Sequence, residues 1–320
     1  MTVSYDNFCG MQRSYAIIGT GALGGFYGAR LQRAGCDVYF LLHSDYEYVR
    51  RHGITLESKD GDFNLPKVNA YSDTRDMPQC DVVCVCLKTT QNHLLPKLLP
   101  PIVKDDGVVL VMQNGLGVEA QIAEIVGPKR VMGGLCFLCS NKVGPGHIRH
   151  LDYGRVGFGE YATRGVSDRM RAITDDFQRA GIPTELFEDL AVVRWQKLVW
   201  NIPYNGLSVV LDATTEELMK TPHTRQLVER IMWEVIANSR ACGAPVPDEV
   251  VGNMLAYTEK MIPYRTSMKI DYDEHHPMEV ETMFGNPLRA AQQAGAASPL
   301  IEELYHLLKF LDARNIVSTR

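Results

Sequence analysis

The sequence predicts an α/β domain built on a mostly parallel sheet, followed by an all-α domain. Three observations predict this. A short apolar run, Tyr15 to Ile18, passes directly into Gly19-Thr20-Gly21-Ala22-Leu23-Gly24 and then into a helical pattern ending at Ala34. Beyond it, strand-like runs keep alternating with helical ones, the pattern of parallel strands joined by crossover helices. From Leu190 onward the 3.6-residue period takes over, in 190–200, 216–241, 248–261 and 299–313. The expected organisation is a loose extension over 1–13, a dinucleotide-binding α/β domain over 14–188 and a helical domain over 189–320.

In a strand–glycine turn–helix unit the glycines have separate tasks. Gly19 permits the tight turn, Gly21 lets the backbone approach a pyrophosphate, and Gly24 lets helix and strand pack closely. The helix start then presents free N–H groups and a partial positive charge to phosphate. Gly19, Thr20, Gly21, Ala22, Leu23 and Gly24 are therefore candidate cofactor contacts in a Rossmann domain. The second strand, Asp37 to Leu42, ends at His43-Ser44-Asp45, where such a domain meets the adenosine ribose. His43 and Ser44, with Arg50 and Arg51 downstream, suit a 2′-phosphate and favour NADP(H). Asp45 keeps NAD(H) as the less favoured option.

Further along, Gly53 to Val68 alternates around Asp60-Gly61, a hairpin pattern. The buried run Asp81 to Leu87 ends at Lys88, which is either a phosphate or adenine-side contact or a solvated lysine. Val108 to Met112 leads into Gln113-Asn114-Gly115-Leu116-Gly117. Asn114 there either pairs with a nicotinamide carboxamide or substrate, or shapes an Asn-Gly turn. Val131 to Ser140 and Gly154 to Gly159 are strand-like, with a turn at Gly144-Pro145-Gly146, and Asp168 to Ala180 is a helix stopped by Gly181-Ile182-Pro183.

Composition narrows the function classes. The 320 residues are 45% hydrophobic and 22% charged, with a net charge of −5. That balance belongs to a folded globular protein and offers no basic footprint for nucleic acid or an anionic membrane. No apolar run reaches the ~20 residues that span a bilayer, and MTVSYDNFCGMQR lacks a signal-peptide core, so a cytoplasmic protein is expected. The eight cysteines fit a reducing compartment. Cys136 and Cys139 form a CxxC without a second pair or matching histidines, so no metal site is expected.

In the helical half, Lys197, Asn201 and Asn205 recur every four residues and share one helix face beside Trp195, Leu198, Val199 and Ile202. A lysine and two amides on a largely apolar helix need polar partners. Structural hydrogen bonds and a substrate carrying a carboxylate and oxygens both meet that need. Pro203 is expected to distort the helix between the two asparagines. Ser267 and Asp271 stand one turn apart, and Glu279 follows Pro277 as an acidic residue in the first turn of a helix.

These pieces together resemble the ketopantoate reductase (2-dehydropantoate 2-reductase) family, whose fold pairs a Rossmann domain with a helical domain similar to that of 6-phosphogluconate dehydrogenase. The resemblance rests on GTGALG (19–24), LKTTQ (87–91), QNGLG (113–117), WQKLVWNIPYN (195–205), SMKID (267–271) and MEVE (278–281), in the family's order. It implies NADPH-dependent reduction of a 2-oxo acid, ketopantoate to pantoate, in pantothenate and coenzyme A biosynthesis. By resemblance, Lys197 is the general acid at the keto oxygen, and Glu279 holds the substrate's hydroxyl. Asn114, Asn201, Asn205 and Ser267 match substrate-binding positions, with Ser267 placed for the carboxylate. Asn114 also joins the nicotinamide site, Lys88 contacts cofactor, and Cys139 lies near a backbone contact to it.

Three positions depart from the family pattern. His43 stands where arginine is frequent, and Tyr264 and Phe284 replace asparagines. The latter two are expected to reshape the pocket toward a bulkier or more apolar 2-oxo acid. A reductase of another 2-oxo acid and a non-catalytic NADP-binding sensor are the alternative readings. The helical domain suggests a homodimer.

Overall fold

The computed structural model describes residues 12–261 and 265–317. The chain forms two compact units. One runs to Asn114 and resumes over Val118–Leu190; the other comprises Gly115–Gly117 and everything from Ala191.

The first unit is organised by a ten-stranded sheet. Its strands are β1 (Ser14–Ile18), β2 (Asp37–Leu41), β3 (Ile54–Ser58), β4 (Phe63–Leu65), β5 (Asn69–Tyr71), β6 (Cys80–Val85), β7 (Val103–Val111), β8 (Val131–Gly144), β9 (His147–Glu160) and β10 (Thr184–Phe187). They lie in the order β4-β3-β9-β8-β7-β6-β1-β2-β5, with β10 beside β9. Pairing is parallel except for β3–β4 and the long β8–β9 hairpin, because β1, β2, β6, β7 and β8 are joined by crossovers. The mostly parallel sheet expected from alternation is therefore present. So is the hairpin around Asp60-Gly61, with Ile54 opposite Leu65.

Residues 15–18 show why β1 sits centrally. All four are completely buried, as a strand covered on both faces requires. Tyr15 and Ile17 pack on one face with Phe26, Tyr27 and Leu31 of α1 (Ala22–Arg33) and with Ile173 and Phe177 of a helix at Asp168–Arg179. Ala16 and Ile18 pack on the other with Leu95, Leu99, Val118 and Ile122. Tyr46–His52, Leu95–Leu98, Val118–Val126 and Asp168–Arg179 are α2, α3, α4 and α5.

Of the extension expected over 1–13, positions 1–11 lie outside the described residues. Arg13 is buried, and its guanidinium donates to both oxygens of Asp176 at 2.5 and 2.9 Å and to the Ala172 carbonyl. The Tyr15 hydroxyl donates to the same carboxylate at 2.5 Å. Burial, with the Asp176 charge beside it, holds the Tyr15 phenol well above its ordinary range.

The second unit is helical: α6 (Leu190–Val210), α7 (Thr215–Lys220), α8 (Pro222–Ala241), α9 (Glu249–Glu259), α10 (Ser267–Asp273), α11 (Asn286–Gln293) and α12 (Pro299–Val317), with a π-helical turn at Glu281–Gly285 before α11. α6 continues through Pro203 as a single helix, where a distortion was expected. A proline removes one backbone donor, but residues 201–209 are all buried. Packing on that scale outweighs one missing hydrogen bond. Glu279 precedes the helical turn instead of opening it. Among the described residues no helix is long and apolar enough to cross a membrane.

Removing the Asp176 carboxylate leaves the Arg13 charge buried without its principal counter-ion. Asp176→Ala is expected to lower the stability of the α/β unit by about 3–5 kcal/mol, read from the shift in urea unfolding followed at a probe in that unit.

Candidate active site

The turn after β1 gathers the ends of several strands. Gly19 adopts a φ of +93°, and a side chain there would lie 2.6 Å from the Leu87 nitrogen. The turn can thus close onto the end of β6, next to Lys88. Thr20 Oγ1 donates to the Leu41 carbonyl at 3.0 Å, tying the turn to the end of β2. The Ser140 hydroxyl donates to the Ala22 carbonyl at 3.4 Å from β8. His43, Lys88 and Cys139 are each within two residues of one of these ties; His43 and Lys88 are exposed and Cys139 is buried.

The glycines divide their work as their positions require. A β-carbon at Gly24 would collide with the Gly19 carbonyl and approach Ile17 within 2.8 Å, so this glycine sets the closeness of α1 to β1. At Gly21 a β-carbon would meet nothing within 4 Å. The space above Gly21 is open, and no side chain caps the start of α1. No acidic residue lies in its first turn. Uncapped amides at a helix N-terminus beside an open glycine are suited to a pyrophosphate, so this cradle fits a dinucleotide.

Asp45 is directed elsewhere. Its carboxylate is buried, accepting from Lys142 Nζ at 2.7 Å and from the Gly146 N–H at 3.1 Å on the β8–β9 hairpin. His43 and Ser44 remain exposed at the tip. Arg50 and Arg51 both reach Glu47, at 3.2 and 3.1 Å. The acidic residue that kept NAD(H) open is thus committed to the hairpin, and no local pattern signals Lys142, which lies 97 positions away.

Asn114 is half-buried at the last position before Gly115–Gly117. The preceding Gln113 donates to the Leu87 carbonyl at 2.8 Å and to Asn92 Oδ1 at 2.6 Å, joining the ends of β7 and β6. The following residues are held by the helical unit: Leu116 N–H donates to the Thr282 carbonyl at 2.8 Å, and Asn286 Nδ2 donates to the Leu116 carbonyl at 2.7 Å. Gly115 and Gly117 both have positive φ, 95° and 79°.

The polar stripe of α6 divides along its length. Lys197 is half-buried, Asn201 is buried and Asn205 is only 2% exposed. Asn205, expected among the substrate contacts, donates its Nδ2 to the Asn201 carbonyl at 3.0 Å and accepts at Oδ1 from the Met268 N–H at 3.2 Å. The side chain turns inward because the start of α10 offers a buried donor there. Ser267, immediately before Met268, is half-buried; Asp271 and Glu279 are buried.

Phe284, expected to reshape a substrate pocket, is fully buried in the helical core, with its ring against Gly206 and Leu304 beside the same glycine. Tyr264 lies outside the described residues. The buried Cys36 and Cys80 thiols are pushed up to about 11 by desolvation, and burial raises Cys84 and Cys86 as well. These cysteines therefore stay thiols. Cys136, the first residue of the CxxC, points its thiol at the Met112 carbonyl, 3.7 Å away.

Comparison with known proteins bears on this arrangement. The family model described as Ketopantoate reductase PanE/ApbA matches residues 15–163, and the model of its C-terminal domain matches residues 189–312. The chain belongs to the ketopantoate reductase family. A 2-dehydropantoate 2-reductase from Nostoc sp. is 64% identical over 308 residues, covering 95% of this chain and 97% of that protein. The crystal structure of 2-dehydropantoate 2-reductase from Geobacter metallireducens superposes with a TM-score of 0.90 at 41% identity, covering 92% of this chain and 99% of that one. That from Methylococcus capsulatus gives 0.87 at 35% identity, covering 94% and 97%.

Thr266 and Ser208 are both fully buried with their hydroxyl oxygens 2.8 Å apart, and neither was singled out in the sequence. Two patterns mark them: a threonine just before a helical run, and one more polar step, three residues on, along the 197–201–205 stripe. The two glycines are expected to respond oppositely to enlargement. Gly21→Val should leave the melting temperature unchanged while weakening dinucleotide binding about tenfold or more, the loss of one charge-assisted contact. Gly24→Val should destabilise the unit by about 1–3 kcal/mol. Titration calorimetry and thermal melts distinguish the two.

Proposed function

We propose that this protein reduces 2-dehydropantoate to pantoate using NADPH. One observation carries the reading: the 64% identity to a 2-dehydropantoate 2-reductase extends over 95% of the chain. Lys197, Asn201, Ser267 and Glu279 all stand on the helical unit that such a reading needs.

The amides at the start of α1 and the open Gly21 would hold the pyrophosphate, with Gly19, Thr20, Ala22, Leu23 and Gly24 forming the turn. Lys88 and the backbone near Cys139 would add cofactor contacts. His43 and Ser44 would meet the 2′-phosphate. Because the Asp45 carboxylate is tied to Lys142 and Gly146, it would oppose that phosphate less than a carboxylate at the tip. Bound NADPH supplies a hydride to the keto carbon.

The protein's own residues handle the charge that results. Reduction of a ketone places negative charge on its oxygen, and a positioned ammonium stabilises that charge and gives up a proton to it. Lys197 takes this role. The product hydroxyl oxygen thus receives its hydrogen from the Lys197 ammonium, which is later reprotonated from solvent. The buried Glu279 would accept a hydrogen bond from the substrate's own hydroxyl and orient it. Ser267 would donate to the substrate carboxylate, Asn201 would bind its oxygens, and Asn114 would contact nicotinamide and substrate. Asn205 acts through Met268 and Asn201, as a positioning residue. The wider setting for this reaction is pantothenate biosynthesis in the cytoplasm, and two copies of the chain would form the working protein.

The test is loss of NADPH absorbance on adding 2-dehydropantoate. Lys197→Ala should lower kcat by about 10²–10⁴-fold and leave NADPH affinity nearly unchanged. Simultaneous loss of cofactor binding and of the folded state would remove the lysine from the chemistry, and no turnover with any 2-oxo acid at high enzyme concentration would overturn the enzymatic reading. kcat/KM with NADPH should exceed that with NADH by at least about tenfold, the worth of one charge-assisted hydrogen bond. Equal use of the two would remove the 2′-phosphate role of His43 and Ser44.

A further inference from the structure

The polar stripe on α6 continues one step beyond the motif that marks it. Ser208 follows Asn205 by three residues, and both it and Thr266, the N-cap residue of α10, are fully buried. Their hydroxyl oxygens are 2.8 Å apart. The direction of each proton follows from its partners. The Asn205 backbone carbonyl only accepts, so Ser208 donates to it at 3.2 Å. With its single hydrogen committed there, Ser208 Oγ must accept from Thr266. Thr266 Oγ1 in turn accepts the Lys269 N–H at 3.3 Å. A directed relay thus runs from Lys269 N–H through Thr266 and Ser208 to the Asn205 carbonyl.

A second tie lies alongside it. Asn205 Oδ1 accepts the Met268 N–H at 3.2 Å. Ser267 sits between Thr266 and Met268, so the chain on both sides of it is bonded to α6, while Ser267 itself is half-buried. Apolar packing holds two helices together but leaves rotation and sliding soft. Hydrogen bonds are directional, so a buried hydroxyl relay specifies the register of the two helices.

We propose that Ser208 and Thr266 are positioning residues for substrate recognition: they lock the backbone of 266–268 to α6 and thereby aim the Ser267 hydroxyl at the substrate carboxylate. This rests on the reading of Ser267 given above. The carboxylate is not the reacting group, so misplacing Ser267 weakens substrate binding and leaves the chemical step largely intact.

Steady-state kinetics on the full-length enzyme tests this with Thr266→Val, Thr266→Ser, Ser208→Ala and Ser267→Ala, each also melted thermally. Thr266→Val should raise KM for 2-dehydropantoate about tenfold, with kcat and the KM for NADPH within about twofold. Thr266→Ser keeps the hydroxyl and should restore KM. Ser208→Ala should raise KM in the same direction, and it decides the matter should Thr266→Val not fold. Unchanged KM in folded Thr266→Val or Ser208→Ala, while Ser267→Ala raises it, overturns the positioning role alone. A parallel fall of kcat, NADPH binding and melting temperature in Thr266→Val and Ser208→Ala overturns it in favour of a purely structural role. Unchanged KM in Ser267→Ala overturns the reading of Ser267, and the proposed purpose of the relay with it.

Discussion

The approach of α1 to the central strand is the constraint on which the rest of the α/β unit depends. It is possible only because Gly24 and Gly28 lack β-carbons. At Gly24 an added carbon would strike the Gly19 carbonyl, and at Gly28 it would approach the Phe40 ring within 2.5 Å. Both positions also face Ile17 on β1. With the helix this close, its first amides stand directly above the strand ends where β1, β2 and β6 finish. The cradle is then built from backbone, and its side chains need only be small enough to stay out of the way.

Carboxylates in this protein are distributed by what they can be paired with. Asp176 is buried with Arg13, Tyr15 and Arg179 around it. Glu160 is buried against Arg169 and Ser167. Asp45 closes onto Lys142 and Gly146. In each case the desolvated carboxylate is met by several donors, which offset the cost of burying it. At Asp45 a carboxylate that the sequence places at the end of β2 is drawn into the β8–β9 hairpin, and His43 and Ser44 are left exposed at the tip.

The α6 stripe shows the same sorting along a single helix. Lys197, Asn201 and Asn205 share a face by spacing alone. Burial separates them. Lys197 keeps partial exposure, whereas Asn205 is spent on the start of α10. The family membership and the family's motif positions were legible because they are runs of contiguous residues, and so were the glycine turn, the alternation of strands with helices and the helical second half. The continuity of α6 through Pro203 was not legible, since local propensity carries no account of the packing that surrounds residues 201–209.

Sequence by itself determined the elements with a local cause: a turn that needs Gly19, a helix that needs a period of 3.6, a strand that needs continuous apolar residues. Tertiary structure alone decided which polar groups face inward. Asp45 meets a lysine 97 positions away, Asn205 meets an amide 63 positions away, Ser208 meets Thr266 58 positions away, and Phe284 fills the space above Gly206. A hydrogen bond has no memory of separation along the chain. Its partner is chosen by desolvation and distance, and both exist only once the chain has folded.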